Sequence, residues 1–465
     1  MSGWLTTGIL VYFVVLNGIY TVLLALGSVQ VRDWVKRRPL RDFDGVGSSP
    51  VSTPVSILVP GYNEGRMVAD SVRSLLAARY RNFEVLVIND GSTDDTLDVL
   101  RREFALVPAH RVPRVSLATR PVRGVYVSPS EPRLTVIDKV NGGKADALNC
   151  GIQYAIYPLF CAIDCDTFLD PRALPRLVWA FQSDPRTVAS GGIVRIVNGA
   201  SLTDGRLSRV RTPRSMIINV QIIEYLRAFL CSRAGWSRLS MLLVISGAFG
   251  LFRRETVVEA GGYDTRTVGE DAELVVRLHR HCRRRGIDYR VSFLADPICW
   301  TEAPASPRSL MLQRDRWQRG LIETLWRHRG MIGNPRYGRV GLIGLPYLLL
   351  FETLGPLVEL VGFAWVLSGL VGGWISAGSA LLFAALAIGY GLVLSLGALL
   401  IEQRAFQRYP DWRDLRVLII AALLENFLYR QWMALVRSFA LISVFTRRRR
   451  WGVMTGRALE EAPVA

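Results

Sequence analysis

Long hydrophobic runs without a charged residue stand on both sides of a mixed central region. One run extends from Leu5 to Val29 and another from Leu360 to Ile401. Each exceeds the roughly 20 apolar residues that are needed to cross a bilayer. The pattern predicts an integral membrane protein with an N-terminal span, a span within residues 340–370 and another within residues 373–401. Glu352 and Pro356 interrupt the start of the second of these, which suits an interfacial approach to the span.

The last hydrophobic segment, residues 416–445, has polar residues in its middle, where ENFLYRQ occupies residues 425–431. One long span there would put the arginines at 447–450 on the outer side, against the tendency of basic residues to stay on the inner side. We therefore expect an interfacial or re-entrant segment. Span length then predicts about three to five membrane segments in all.

The central region changes to short β-rich runs that alternate with helical periodicity. The predicted strands are residues 55–59 (VSILV), 83–88 (FEVLVI) and 159–164 (LFCAID). The predicted helices are residues 67–78, 96–104, 144–156 and 171–181. This alternation is typical of an α/β fold with a parallel sheet and helices on both faces.

Each predicted strand runs into a polar segment. The first continues into residues 61–64 (GYNE), the second into residues 89–94 (NDGSTD), and the third into Asp164, Cys165 and Asp166. Ligands of open α/β sheets bind beyond the carboxyl ends of the strands. We therefore expect these carboxylates to face one crevice, where they repel one another unless a cation or proton compensates them.

A further helix is predicted between Thr267 and Gly286, with three acidic residues at its start. Thr267 and Glu270 have the spacing of a capping box, and acids in a first turn suit the helix dipole. Three arginines before Gly286 make a basic last turn with a glycine stop. This cap explains Glu270 and leaves Glu273 replaceable at little cost, but it does not require Asp271.

The chain is strongly basic, with a formal net charge of +18 at pH 7. Basic residues cluster beside the hydrophobic runs, as at residues 32–41 after the first run. Attraction to an anionic inner leaflet explains this clustering more economically than nucleic-acid binding, which we do not expect. The positive-inside rule then makes the region that follows cytoplasmic, and the first run lacks the preceding Lys or Arg of a secretory signal. The six cysteines have no zinc-like spacing and are expected to be reduced thiols.

Two motifs carry candidate chemistry. The pair Asp164 and Asp166 at a strand end suits a hard cation such as Mg²⁺, while a polar turn is the ordinary alternative. In NGGKADALNCGI (141–152), two glycines and Lys144 at a helix start offer N–H groups and an ammonium to a phosphate. A glycine turn with a solvated lysine is an equal alternative for this motif.

Six motifs in order resemble the membrane-bound family-2 glycosyltransferases, the group that contains the cellulose, hyaluronan, chitin and poly-N-acetylglucosamine synthases. They cover roughly residues 55–319 and are PGYNE (60–64), NDGSTDDT (89–96), GGKADALN (142–149), DCD (164–166), GED (269–271) and QRDRW (313–317). The GED triplet begins with Gly269 where many members have Thr. The resemblance implies a GT-A fold and an inverting transfer from a nucleotide-activated sugar, usually a UDP-sugar.

The resemblance also implies roles for the donor side of the site. Tyr62, Glu64 and Asp90 match positions that hold the uridine part of the nucleotide. Asp164 and Asp166 match the pair at the diphosphate and a Mg²⁺ or Mn²⁺ ion, with Asp166 as the direct ligand. Lys144 would assist at the diphosphate.

On the acceptor side, Asp271 matches the general base that takes the proton from the attacking hydroxyl. Ser246 and Gly247 lie in SGAFGLFRRE (246–255), which is similar to the acceptor-side segment of the family, although a packed strand with a glycine is an equal alternative. In QRDRW, Gln313 and Arg316 would help to hold the diphosphate and Trp317 would stack on the acceptor sugar.

The QRDRW segment also has a structural interpretation, an interfacial amphipathic helix with Trp317 at the headgroups and snorkelling arginines at 314, 316 and 319. Both interpretations are compatible. In the family this motif accompanies processive polymerisation, which favours a polysaccharide synthase in the cell membrane.

The expected organisation is an N-terminal transmembrane helix (1–30), a basic linker (31–53), a cytosolic GT-A domain (54–305), interfacial helices with QRDRW (306–336), C-terminal transmembrane and interfacial helices (337–446) and a basic cytosolic tail (447–465). Three functions fit it. The first is a synthase that uses UDP-GlcNAc or UDP-Glc, with a membrane partner subunit or an oligomer completing a polymer channel. The second is a single transfer to a lipid acceptor, and the third is a degenerate transferase that serves as a scaffold.

Overall fold

The computed structural model of the chain describes residues 2–203 and 206–444, which form two compact units. We call residues 36–203, 206–209 and 242–302 the sheet unit, and residues 2–35, 210–241 and 303–444 the helical unit. Residues 210–241 therefore group with the helical unit, although the sequence placed them inside one domain over 54–305. The predicted tail at 447–465 lies outside the described residues.

Twelve strands are present in the described part of the chain. They are β1 (Val55–Gly61), β2 (Phe83–Asn89), β3 (Val107–Pro108), β4 (Val122–Val127), β5 (Leu134–Lys139), β6 (Leu159–Ile163), β7 (Phe168–Leu169), β8 (Thr187–Ile196), β9 (Ala200–Thr203), β10 (Arg206–Val210), β11 (Phe249–Arg253) and β12 (Arg290–Thr301). The three predicted strands are confirmed as β1, β2 and β6.

Seventeen α-helices occur in the same described residues. They are α1 (Ser2–Arg37), α2 (Phe43–Ser48), α3 (Val68–Leu76), α4 (Thr96–Glu103), α5 (Lys144–Tyr154), α6 (Ala173–Ser183), α7 (Met216–Leu226), α8 (Ala234–Arg238), α9 (Arg254–Glu259), α10 (Glu270–Arg285), α11 (Pro307–Arg327), α12 (Leu345–Tyr347), α13 (Gly355–Val371), α14 (Ala377–Ala384), α15 (Tyr390–Ala405), α16 (Trp412–Leu424) and α17 (Arg430–Ser443). The four helices predicted in the central region are confirmed as α3 to α6, and the basic segment expected as a linker is largely helical in α1 and α2.

Short 3₁₀ and π-helical turns extend or join these helices. The 3₁₀ turns are Arg38–Leu40, Arg329–Met331 and Pro335–Tyr337. The π-helical turns are Arg227–Arg233, Val340–Gly344, Leu348–Thr353, Ala385–Gly389 and Glu425–Tyr429.

The sheet unit is built on a mixed ten-stranded sheet in the order β3-β4-β5-β2-β1-β6-β11-β8-β12-β7. The strands β5, β2, β1 and β6 are mutually parallel, as expected. However, β4 is antiparallel to β5, and β11 is antiparallel to both β6 and β8, so the sheet is mixed, with a second parallel pair formed by β8 and β12. The reversal at β4 follows from its short loop to β5, because parallel neighbours need a crossover of a dozen or more residues.

The central strands are buried along their whole length. Every residue of β2 and β6, and all but one of β1, is buried. Helix α5 packs against β1 and β2, and α6 packs against β8 and β12. Strands that are covered on both faces have continuous apolar sequences, which is why the sequence pattern identified them.

The helical unit contains the long apolar helices. The stretches Trp4–Leu40 and Ala377–Ala405 are long and apolar enough to cross a membrane. A third candidate is the pair Val340–Thr353 and Gly355–Val371, which is bent by 42°. The bend lies near Pro356, which removes a backbone donor from the helix ladder. Two or three candidate spans thus occur in the described residues, compared with the expected three to five.

The segment that the sequence left as interfacial or re-entrant forms α16, a π-helical turn at Glu425–Tyr429, and α17. It is not among the candidate spans of the described residues, and its predicted end at 445 lies beyond them. Within the helical unit, buried Glu425 pairs with Arg227 at 2.6 Å and accepts a hydrogen bond from Ser395 Oγ at 2.7 Å. Pairing of this kind is needed because an isolated buried charge is costly.

Candidate active site

The carboxyl ends of the central strands lie side by side in the sheet unit. Gly61 is paired with Asn89, and Asn89 is paired with Asp138, so the polar segments after β1 and β2 and the end of β5 share one edge. The Asp164–Asp166 turn follows β6, the other neighbour of β1. The expectation that three strand ends deliver carboxylates to one edge is therefore confirmed.

The polar segments after β1 and β2 are hydrogen-bonded to each other. Asn63 has a left-handed backbone (φ 58°), and its Oδ1 accepts the Thr93 N–H at 2.8 Å. In return, Ser92 Oγ accepts the Asn63 N–H at 3.0 Å. Asn tolerates this conformation better than most residues because its side chain can bond locally. The turn leaves the Tyr62 side chain 46% exposed at the edge of the sheet.

Excess negative charge is concentrated beyond these strand ends. Burial, followed by the charges of Asp166 and Asp164, raises the pKa of Glu64 to about 7. Burial and the neighbouring Asp164 also raise the pKa of Asp166, although Lys144 opposes the shift. The neighbouring carboxylates add to burial in these shifts, which shows that the acidic groups are close enough to repel one another. This is the environment in which oxygen ligands favour a divalent cation.

Glu302 belongs to the same charged region and was missed by the sequence analysis. Burial and then the charge of Asp166 raise its pKa to about 7. Glu302 directly follows the end of β12, as the predicted acids follow β2 and β6. The signal was available but β12 was not recognised, because Pro297 interrupts its apolar pattern and Pro argues against a central strand.

Lys144 is the cation of this region. Its ammonium pairs with the Asp164 carboxylate, lies 3.7 Å from Glu270 Oε1 and donates to the Gly247 carbonyl at 3.2 Å. Burial alone would lower the pKa of Lys144, but the carboxylates of Asp164 and Glu270 outweigh burial and raise it. The alternative of a solvated lysine is therefore wrong.

The glycine turn before Lys144 does not offer its N–H groups to a ligand. The N–H of Gly142 donates to Asp90 Oδ1 at 3.0 Å, and the N–H of Gly143 donates to Asp90 Oδ2 at 2.7 Å. The expected phosphate cradle of glycine N–H groups is thus already occupied by a carboxylate of the protein. Asp90 itself is only 3% exposed. Its predicted contact with uridine stays a prediction.

Asp271 lies in the first turn of α10 and is held on two sides. Its Oδ2 accepts the Gly247 N–H and its Oδ1 accepts the Ala272 N–H, both at 2.8 Å. A side chain at Gly247 would meet Asp271 Oδ2 at 3.1 Å and Lys144 Nζ at 3.2 Å. Gly247 therefore brings the candidate base and the candidate diphosphate ligand close together on one backbone segment.

A small cleft lies at this point. Its lining includes Lys144, Ser246, Gly247, Tyr263, Glu270 and Asp271. The sequence had assigned four of these six residues to the site. SGAFGLFRRE enters β11 at Phe249, so its structural interpretation as a packed strand is confirmed while its first two residues face the cleft.

The expected capping box is wrong. The N-cap residue of α10 is Gly269, and Thr267 Oγ1 accepts the Gly269 N–H at 3.2 Å. Glu270 is therefore the first helical residue, not the third as a capping box from Thr267 requires, and its carboxylate lies near Lys144. The C-terminal expectation holds, since Gly286 is left-handed with φ 67°.

Glu273, which the sequence analysis expected to be replaceable at little cost, makes a buried ion pair. It is only 2% exposed, and its Oε2 lies 2.5 Å from Arg277 Nη2. The two residues are four apart on α10, where side chains meet on one face. Neutralising Glu273 would remove the charged partner of the partly buried Arg277 guanidinium, which lowers the free energy of unfolding.

The QRDRW residues lie in the helical unit, on α11. Gln313 is buried, and its Oε1 has no hydrogen-bond partner within the described residues. Trp317 is 44% exposed, with the Arg314 guanidinium 4.2 Å from its ring centre. Arg314 is buried and pairs with Glu224 at 2.6 Å, and Arg319 is also buried, so neither is a snorkelling arginine. Arg316 is partly buried on the same helix.

The carboxylates of Asp164 and Asp166 fit a divalent cation that completes its coordination with ligand oxygens. In residues 2–203 and 206–444, no group of three or more His, Cys, Asp or Glu side chains is arranged to hold a metal ion alone. Mg²⁺ is commonly bound by one or two carboxylates together with phosphates. The donor set and the excess negative charge therefore suit such an ion.

Comparison with known families gives two matches. A model described as glycosyl transferase family 2 matches residues 56–242, and one described as glycosyl transferase family group 2 matches residues 159–401, more than half of the chain. The poly-beta-1,6-N-acetyl-D-glucosamine synthase of Staphylococcus aureus (strain COL) is 28% identical over 312 residues, which cover 67% of this chain and 62% of that protein. The synthase of the same name from Staphylococcus epidermidis is 29% identical over 273 residues, 59% of this chain and 56% of that protein. The chain thus spans less than two thirds of these relatives.

Among solved structures, the mannosyltransferase PcManGT from Pyrobaculum calidifontis, in complex with GDP-Man and Mn²⁺, superposes with a TM-score of 0.52 at 18% identity. The superposition covers 91% of this chain and 99% of that one. At this identity the likeness concerns the fold alone, and it agrees with the expected GT-A fold.

Proposed function

The chain belongs to glycosyl transferase family group 2, and we propose that it transfers a sugar, with inversion, from a UDP-sugar to a growing β-linked polysaccharide. The observation that carries the proposal is the cleft in which one backbone segment, at Gly247, holds the Asp271 carboxylate and the Lys144 ammonium close together. A base for an acceptor and a cation for a leaving diphosphate are the two groups that such a transfer requires.

On the donor side, Tyr62, Glu64 and Asp90 hold the uridine part of the nucleotide. The exposed Tyr62 ring on its locked turn suits contact with a flat base. Lys144 binds the diphosphate, and the pairing of its ammonium with Asp164 supports a place beside the metal-binding carboxylates. UDP-GlcNAc or UDP-Glc is the proposed donor, and the name of the staphylococcal relatives supports UDP-GlcNAc of the two.

Asp164 and Asp166 would hold a Mg²⁺ or Mn²⁺ ion, with Asp166 as the direct ligand. When bound, such an ion neutralises negative charge on the departing diphosphate. The raised pKa values of Glu64 and Glu302 support the need for an added cation in this region.

Asp271 is the proposed general base. The acceptor hydroxyl oxygen forms a bond to the anomeric carbon of the donor, the bond from that carbon to the phosphate oxygen breaks, and the hydroxyl proton passes to Asp271. UDP leaves with the bonding electrons. A single displacement inverts the anomeric centre and needs no covalent enzyme intermediate. The two N–H donors that fix Asp271 support this role, because a base must be aimed at the proton that it removes.

The acceptor chain is proposed to pass Ser246 and Gly247, with Gln313 and Arg316 assisting at the diphosphate and Trp317 stacking on the acceptor sugar. The exposed Trp317 ring suits such stacking. The apolar helices support a membrane protein, and we propose a multi-pass protein of the cell membrane with a cytoplasmic sheet unit. Processive synthesis and translocation of the polymer, with a partner subunit or an oligomer, complete the proposal.

The test uses the full chain in lipid nanodiscs with a panel of UDP-sugars, with Mn²⁺, with Mg²⁺ or with a chelator. UDP release and product length are measured together. The proposal expects metal-dependent UDP release from one or two UDP-sugars and long chains as product. Discrete short glycolipids as product would refute the polysaccharide synthase and support an enzyme that makes a single transfer to a lipid. Absence of UDP release with every sugar and metal would refute the proposal and support a degenerate transferase that serves as a scaffold.

A further inference from the structure

Lys139 is a buried lysine in a chain that almost always uses arginine. Only three of the 57 Lys and Arg residues are lysine, namely Lys36, Lys139 and Lys144. Lys139 ends β5 and has no exposed surface. A buried ammonium is costly unless it is paired and hydrogen-bonded, so the surroundings of Lys139 must supply strong acceptors.

Three acceptors surround its ammonium. Nζ lies 2.6 Å from Asp90 Oδ1 and 2.6 Å from Asp146 Oδ1, and it donates to the Val140 carbonyl at 2.7 Å. An ammonium has three N–H donors, and each has one acceptor here. The planar fork of an arginine could not direct its donors to three acceptors around one point. The choice of lysine therefore follows from the geometry.

The two carboxylates connect Lys139 to the turn before Lys144. Asp90 accepts the N–H groups of Gly142 and Gly143, while Asp146 lies in the first turn of α5. A side chain at Gly142 would lie 2.5 Å from Asp146 Cγ, so the turn and the helix start are in close contact. Lys139 thus joins the end of β2, the glycine turn and the start of α5.

We propose that Lys139 is a positioning residue for nucleotide binding, which fixes the turn at residues 141–143 and so sets the place of the Lys144 ammonium beside Asp164 and Gly247. The inference rests on the proposed function, since it takes a nucleoside diphosphate as the ligand of Lys144. Lys139 itself touches no ligand, because its side chain is enclosed by the protein.

The test is a double-mutant cycle on UDP affinity, measured by calorimetry on the full chain in nanodiscs with Mn²⁺. In Lys139→Met, the dissociation constant for UDP and the KM for the UDP-sugar are expected to rise together by about tenfold or more, as expected from a misplaced charge-assisted hydrogen bond. In a Lys144→Gln background, the same Lys139→Met change is expected to add little, because non-additivity marks residues that act through each other.

A matched control is Glu84→Gln near the start of β2, the strand that pairs with β5 and leads into Asp90. Glu84 is 4% exposed and accepts hydrogen bonds from Ser56 Oγ at 2.6 Å and the Ile156 N–H at 2.8 Å. Like Lys139→Met, the Glu84→Gln substitution neutralises a buried charge, so it should lower the melting temperature, but it should leave the affinity for UDP unchanged. If Glu84→Gln weakened UDP binding as much as Lys139→Met, the effect would be general destabilisation and the inference would be overturned.

Should Lys139→Met fail to fold, Asp146→Asn provides the same test with a milder change, because an amide oxygen can still accept one hydrogen bond. A smaller loss of UDP affinity that disappears in the Lys144→Gln background supports the inference. Equal losses in both backgrounds overturn it, as does unchanged affinity. The proposed function fails separately, if the wild-type protein binds no UDP.

Discussion

Replacement of Asp271 by asparagine separates catalysis from stability on one helix. Asp271 accepts two backbone N–H groups, and an amide can accept only one of them with its single oxygen. The lost hydrogen bond costs about 1 kcal/mol, which lowers the melting temperature by roughly 2–4 °C. Loss of a general base lowers kcat about 10²- to 10⁴-fold, or about 3–5 kcal/mol of transition-state stabilisation. Asp271→Asn should therefore fold nearly normally and transfer almost no sugar.

Glu273→Gln is the matched control, two residues further along α10. Its carboxylate is buried against Arg277, so its neutralisation should cost about 1–3 kcal/mol of unfolding free energy. Its side chain is not part of the cleft lining. Glu273→Gln should thus have a lower melting temperature than Asp271→Asn but keep wild-type kcat. Asp271→Asn should show the opposite combination, a higher melting temperature and a much lower kcat.

The assay is UDP release at saturating donor and acceptor in nanodiscs, with thermal melts of the same preparations. UDP affinity is measured in parallel and should be unchanged in Asp271→Asn, because the base is not a nucleotide ligand. A kcat within a few-fold of wild type for Asp271→Asn would refute its role as base. A parallel loss of kcat in Glu273→Gln would show that α10 tolerates no change, and the comparison would then no longer support a specific role for Asp271.

Three further predictions follow from the same contacts. Burial lowers the pKa of His279 to about 4, so below its ordinary value of about 6.5 the unfolded chain binds a proton there that the folded chain does not. The contribution of His279 to the unfolding free energy should therefore fall by about 2 kcal/mol between about pH 7.5 and pH 5. The difference between wild type and His279→Gln in pH-resolved melts isolates this contribution, because Glu64 and Glu302, whose raised pKa values act in the opposite direction, are present in both proteins. Asp166→Asn should raise the Mn²⁺ concentration for half-maximal activity about tenfold or more, seen by metal titration, since it removes the proposed direct ligand; an unchanged titration curve would contradict that assignment. In the helical unit, Arg227→Met or Glu425→Gln alone should each cost about 3–5 kcal/mol, whereas the double variant should melt closer to wild type, because each single change leaves one buried charge unpaired.

The parts of the fold that the sequence predicted are those that local pattern decides. The strands β1, β2 and β6 are continuous apolar runs between polar turns, and their register alone brings the following acids to one edge. The strand β12 was not predicted because Pro297 interrupts its apolar pattern, and Glu302 was missed because it directly follows that strand. The reversal of β11 between two other strands could not be read from pattern either, since strand direction depends on how the chain connects the elements.

The lysines on either side of the glycine turn show why the site itself was only partly predictable. Lys139 and Lys144 are five residues apart, and the sequence pattern offered a solvated lysine as an alternative for Lys144 while giving no signal for Lys139. The structure encloses Lys139 among acceptors from three segments and leaves Lys144 16% exposed at the cleft. This difference arises from Asp90, which is distant in sequence, so no local rule could have assigned it.

The use of Asp90 inside the protein also explains the charge balance of the site. Glycine N–H groups at a helix start would ordinarily bind a phosphate. Here the N–H groups of Gly142 and Gly143 donate to Asp90, so these two donors are not available to a phosphate. The diphosphate must then depend on the Lys144 ammonium, which is itself shared with Asp164. One lysine cannot balance both Asp164 and a diphosphate, and Asp166 and Asp164 already add to burial in raising the pKa of Glu64. A nucleotide that brings its own divalent cation resolves this imbalance, which is the physical reason to expect metal dependence from these residues.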